Sequence, residues 1–120
     1  MSRGAPTWSI GHYRTPGGAR PVHDFIEGLS KTARPKVLAA LAMLEQHGNR
    51  LGLPLSRAMG QGLYELRVAH PEGPFRILYG FRPARRVVLL HAFVKRTEQT
   101  PKGDLDLARA RHRAGAAEEE

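Results

Sequence analysis

Three short segments of strand length follow one another in the second half of the chain, each closed by turn residues. In Leu63–Val68, side-chain alternation puts Tyr64, Leu66 and Val68 on one face and Leu63, Glu65 and Arg67 on the other. His70-Pro71-Glu72-Gly73-Pro74 ends that run. In Phe75–Phe81, Phe75, Ile77, Tyr79 and Phe81 share a face and leave Arg76 with Leu78 opposite. Arg82-Pro83-Ala84-Arg85 turns the chain again, and Val87–Val94 is apolar almost throughout, as expected of a strand covered on both sides. His91 is expected on the face of Val87, Leu89 and Phe93. Such a meander buries its apolar faces only against another layer, which the rest of the chain has to supply.

The first half does so. Trp8–Tyr13 alternates Trp8 and Ile10 with Ser9 and Gly11, between Pro6 and Thr15-Pro16-Gly17-Gly18, and reads as a first strand. Val22, Phe25, Ile26 and Leu29 recur at helical spacing and predict a short helix. Thr32 suits the N-cap of the next helix because it puts Pro35 in the first turn, where a missing N–H costs little; Ser30 would set the proline too deep. Val37, Leu41 and Leu44, with Ala40, form its apolar stripe, and Gly48 suits its end. Gly48 to Gly62 reads as a loop anchored by Leu51, Leu53 and Leu55. Thr100-Pro101 reads as an N-cap before a proline, Asp104 and Asp106 favour the positive end of a helix, and a last basic helix is expected over Leu105–Arg113. The fold class that follows is a small α+β domain, residues 1–117, with an acidic tail at 118–120 expected to be disordered.

Composition narrows the chemistry. With 120 residues the chain fits one domain, and no apolar stretch approaches the ~20 residues that span a bilayer. The absence of cysteine excludes a disulfide scaffold, a thiol nucleophile and thiolate zinc, and fits a reducing cytoplasm. The MSRGAPTWSI start offers no signal-peptide core. None of Ser2, Ser9, Ser30 and Ser56 stands in a nucleophile elbow, and Gly11, Gly17 and Gly18 make no phosphate-binding fingerprint. The histidines at 12, 23, 47, 70, 91 and 112 include no pair three or four apart, so neither a metal nor a cofactor is expected. Nineteen Lys and Arg against eleven Asp and Glu give a net +8, and three of those acids are Glu118, Glu119 and Glu120. The remainder is strongly basic, which suits a polyanionic partner bound in a salt-sensitive way.

Two of these cations stand out. Arg67 and Arg76 lie within otherwise apolar strands, and if those strands pair, both guanidiniums project opposite the Tyr64/Phe75 face. Lys95 and Arg96, at the exit of the last strand, can reach the same surface. Such a cluster suits phosphates; the plainer alternative pairs Arg67 with Glu65 or Glu72 and lets Arg76 reach for water.

Taken in order, GARPVHDFI (Gly18–Ile26), HGNRLGLP (His47–Pro54), GLYELR (Gly62–Arg67), FRILY (Phe75–Tyr79), LLHAFVKR (Leu89–Arg96) and Thr100-Pro101 resemble the phage-derived, HigB-like branch of the RelE/ParE toxin superfamily. The resemblance covers Trp8 to about Arg113. It implies a RelE/ParE-like fold, with an N-terminal strand and helical hairpin packed on a small, mainly antiparallel twisted sheet and a C-terminal helix. It also implies the toxin of a type II toxin–antitoxin pair, acting as a ribosome-dependent, metal-independent endoribonuclease (mRNA interferase) in which a ribose 2′-hydroxyl attacks the adjacent phosphate.

Carried onto this sequence, Arg67 and Arg76 take phosphate stabilisation, while Lys95 and Arg96 hold the RNA backbone or donate a proton. Glu65 stands where RelE places a lysine, and it either accepts a proton or orients Arg67. His91 has a general base's pKa class, although a lone histidine on a strand face is more often a core residue. The region Thr97–Leu107 lacks the tyrosine that RelE uses near its carboxyl terminus. Implied partners are a helix-turn-helix antitoxin, the ribosome and messenger RNA, with no membrane and a monomeric toxin outside the antitoxin complex. Two other readings share the fold or the charge: a ParE-like DNA gyrase inhibitor, and a non-catalytic nucleic-acid-binding phage-derived protein.

Overall fold

The computed structural model describes residues 7–114, so the acidic end at 118–120 lies outside the described residues. The elements are β1 (Ser9–His12), α1 (Pro21–Glu27), α2 (Ala33–His47), a single 3-10 turn (Gly48–Arg50), β2 (Ser56–Gly60), β3 (Leu63–Val68), β4 (Phe75–Arg82), β5 (Arg86–Val94) and α3 (Lys102–Ala114). The strands form one mixed sheet in the order β1-β5-β4-β3-β2. β1 runs parallel to β5 and every other pair is antiparallel. This is the α+β fold expected from the sequence, and it is consistent with the RelE-like arrangement. No helix among the described residues is long and apolar enough to cross a membrane.

Alternation builds two cores, one on each face of the sheet. Leu66, Val68, Phe75, Ile77, Tyr79, Val87 and Leu89 pack against Val22, Ile26, Val37, Leu41 and Leu44 of α1 and α2. On the other face Leu63, Leu78, Val88 and Leu90 pack against Ala108 of α3. Arginines fasten α3 by donating to backbone carbonyls: Arg109 to Met59 and Gly60, both at 3.0 Å, and Arg111 to Leu90 at 2.8 Å. These bonds matter for the site because they fix where α3 lies over the sheet.

Several expectations are corrected. Ser56–Gly60, expected to be loop, is the edge strand β2; its residues carry no apolar alternation, and it exists because Gly60, Gln61 and Gly62, all with positive φ, turn it back onto β3. Ser56 is buried there, its hydroxyl 2.5 Å from the Tyr79 hydroxyl. Thr32 occupies the N-cap position of α2 without a capping bond; the Ala33 N–H donates to Ser30 Oγ at 3.1 Å instead. Pro35 is still harmless, since the first N–H groups of a helix have no intrahelical acceptor. α3 starts at Lys102, earlier than expected, and α1 stops at Glu27.

The correction with most consequence concerns His91. A bulge shifts the register between Leu78 and Tyr79, so that Tyr79 faces Leu89 and Leu78 faces His91. The residue left over, Leu90, reverses the alternation of the strand. His91 and Phe93 therefore leave the face of Val87 and Leu89 and join Leu78, Arg76 and α3.

Gly48 ends α2 at φ +49°, and a Cβ there would overlap the Trp8 indole. Gly48→Ala is expected to destabilise the fold by about 1–3 kcal/mol. Urea unfolding followed by fluorescence of Trp8, the single tryptophan, measures this; an unchanged midpoint contradicts it.

Candidate nucleic-acid interface

The strand registers place the candidate residues in rows across the α3 side of the sheet. Arg67 of β3 lies directly opposite Arg76 of β4, which lies opposite Phe93 of β5. One row away, about 7 Å along the strands, Glu65 lies opposite Leu78 and Leu78 opposite His91. α3 covers the second row through Leu78, and Phe93 of the arginine row packs against the same cluster. A cleft of about 360 Å³ opens there, lined by Arg67 and Arg76 with Pro54, Leu55, Ala69 and Pro74.

Two guanidiniums side by side repel, and Glu65 offsets this from the neighbouring row. Glu65 is 1% exposed and Arg76 7%, with Arg76 Nε 3.6 Å from Glu65 Oε1. Arg76 also donates from Nη1 to the Phe75 carbonyl at 3.0 Å. Burial holds the Arg76 pKa below its ordinary value; Glu65 pulls it up and Arg67 pushes it further down. The Nε atoms of Arg67 and Arg76 are both buried and neither has a hydrogen-bond partner. Two adjacent guanidiniums on the wall of one cleft have the planar fork geometry that suits an anion.

The acid pairing differs from the simpler expectation. Glu65 faces Arg76 rather than Arg67, because the diagonal across an antiparallel pair joins residues two apart in register. Glu72 accepts from the Ser30 hydroxyl at 2.8 Å. The second oxygen of Glu65 accepts a short hydrogen bond from the Thr100 hydroxyl.

The remaining candidates are less central. The backbone N–H of Lys95 donates to the carbonyl of Pro74, a residue of the cleft wall, at 2.8 Å, so the chain passes the rim at this point. The Lys95 ammonium turns to the Glu98 carbonyl, and Arg96 is exposed. Neither side chain lines the cleft. His91 Nε2 is 2.6 Å from Asp104 Oδ1 of α3, and its ring stacks on Phe93 with centroids 5.5 Å apart. Sequence reasoning missed Thr100 and Asp104 as neighbours of the site, since both carry ordinary helix-start signals. Among the described residues no group of three or more His, Asp and Glu side chains is placed to hold a metal ion.

The sequence profile described as Phage derived protein Gp49-like (DUF891) matches residues 24–113. The chain belongs to this Gp49-like family. The family is associated with RelE- and HigB-like toxins. The match runs from α1 into α3 and so includes both rows of this Gp49-like protein. No curated protein matches the sequence significantly.

In the Gp49-like site the two charged neighbours of Arg76, Glu65 and Arg67, have opposite structural consequences. Glu65→Ala leaves Arg76 buried without its counter-charge and is expected to destabilise by about 3 kcal/mol. Arg67→Gln removes a like-charge contact and is expected to leave stability unchanged or raise it by up to ~1 kcal/mol. Urea unfolding of both variants is the check; a comparable loss in Arg67→Gln contradicts the description of the pair.

Proposed function

We propose that this chain is the toxin of a type II toxin–antitoxin pair, of the HigB-like branch, and cleaves messenger RNA on the ribosome as a metal-independent endoribonuclease. One observation carries the reading: Arg67 and Arg76 stand opposite each other in register and line one cleft, with the Glu65 carboxylate turned to Arg76. The residues fit a reaction in which the ribose 2′-oxygen bonds to phosphorus and the P–O5′ bond breaks. A 2′,3′-cyclic phosphate and a 5′-hydroxyl result. The proton of the 2′-hydroxyl passes to a base, and O5′ takes one from an acid.

Arg67 and Arg76 hold the non-bridging oxygens as charge builds on the phosphorane, in a fold that already fixes their positions. Lys95 and Arg96, at the rim and beyond it, hold the flanking backbone, and Lys95 supplies the proton to O5′. Of the two candidate bases we assign the role to His91, one row from the arginines and outside the cleft lining, because Glu65 is already held by two partners. Both oxygens of Glu65 are engaged, which suits it to orienting Arg76. Asp104 accepts from His91 Nε2, which orients the ring with Nδ1 as its second nitrogen. The substrate is single-stranded RNA already splayed by the ribosome. The protein acts as a cytoplasmic monomer until a helix-turn-helix antitoxin covers its basic face.

Arg76→Ala is expected to abolish growth inhibition, and to lower stability as well because Glu65 is left buried without a counter-charge. Arg76→Lys keeps a charge beside Glu65 but loses the planar fork, and is expected to lower cleavage roughly 10²-fold. Mapping messenger 5′ ends on translating ribosomes reads both, with a gyrase supercoiling assay run beside it. Undiminished toxicity of Arg76→Ala, or inhibited supercoiling with intact messengers, contradicts the proposal.

A further inference from the structure

We infer that Thr100 is a positioning residue, whose hydroxyl sets the Glu65 carboxylate and through it the Arg76 guanidinium. Thr100 stands in the connector between β5 and α3, two residues before the helix, where its type suits a cap. Its hydroxyl donates instead across the sheet to Glu65. A buried carboxylate with one free oxygen can rotate to another partner; with Oε2 held by Thr100, Oε1 stays turned toward Arg76 Nε. Arg76 needs such a restraint because Arg67, directly opposite, repels it toward other orientations. Its own backbone-directed bond to Phe75 ties only one end of the guanidinium.

The same hydrogen bond fixes the connector. Lys95 begins this stretch at the cleft rim, Arg96 follows, and the Lys95–Glu98 and Thr97–Gln99 contacts fold it back on itself. Thr100 anchors its far end to the strand that carries Arg67. One hydroxyl therefore links the paired arginines on the sheet to the basic pair on the connector.

The inference rests on the nuclease reading only for its kinetic consequence. Thr100→Val keeps the shape and removes the hydroxyl; Thr100→Ser keeps the hydroxyl. With translating ribosomes as substrate, Thr100→Val is expected to lower kcat roughly 10- to 100-fold with KM within about twofold, and Thr100→Ser to restore kcat. A readout independent of activity is the side-chain Nε–H resonance of Arg76 in a 15N-arginine-labelled protein. That resonance is expected to move and exchange faster in Thr100→Val and to return in Thr100→Ser. A shifted Arg76 resonance in a protein whose wild type cleaves nothing sustains the positioning role and removes the nuclease reading. An unmoved resonance in Thr100→Val, or a serine variant that behaves like valine, overturns the inference. Should Thr100→Val fail to fold, Thr100→Ala against Thr100→Ser gives the same comparison: an Arg76 resonance displaced only in the alanine variant supports the inference, and one unmoved in both overturns it.

Discussion

The Glu65–Arg76 ion pair is the constraint around which this face of the molecule is organised. Burying a guanidinium next to a second one is unfavourable, and a single buried carboxylate on the diagonal makes it tolerable. Everything else at the cleft follows from where that carboxylate can be. Glu65 sits on β3 because the hairpin through Gly60-Gln61-Gly62 sets the start of the strand, and its free oxygen draws in Thr100. α3 is then held by arginine-to-carbonyl bonds over Leu78, while Arg67 and Arg76 line the cleft.

A protein selected for stability alone has simpler solutions at these positions, since an apolar pair in place of Arg67 and Arg76 would extend the core beneath α3. Retaining two partly desolvated cations in register, with donors left unpaired, is the pattern expected where function opposes stability. The Gp49-like family assignment and its association with RelE- and HigB-like toxins fit that pattern.

Much of this arrangement is legible in the residues. The alternation in Leu63–Val68 and Phe75–Phe81 is unbroken, so the arginines fall on the face opposite Tyr64 and Phe75, as the pattern predicts. The helical stripes of α1 and α2 are equally direct. Three features escape. β2 is an exposed edge with too few apolar residues to show a period, and the signal that was present, Gly60-Gln61-Gly62, marks the turn and not the strand. The bulge at Leu90 changes no residue type, so alternation counted through it assigns His91 to the wrong face. Thr100 and Asp104 carry two compatible meanings, and only the packing of α3 shows that their side chains turn to Glu65 and His91. Local pattern thus gives the faces, while the partners of the polar groups depend on contacts 13 and 35 residues apart.

The most direct test of the central claim is a titration of 15N-arginine-labelled protein with a single-stranded oligoribonucleotide whose 2′-hydroxyls are methylated. Such a strand binds without being cut. Two guanidiniums gripping one phosphodiester should give Arg67 and Arg76 Nε–H resonances that shift together, with one midpoint that weakens as salt is raised. Resonances of the pair that stay fixed while exposed arginines elsewhere respond would show that RNA binds by diffuse charge and that the cleft is not its site.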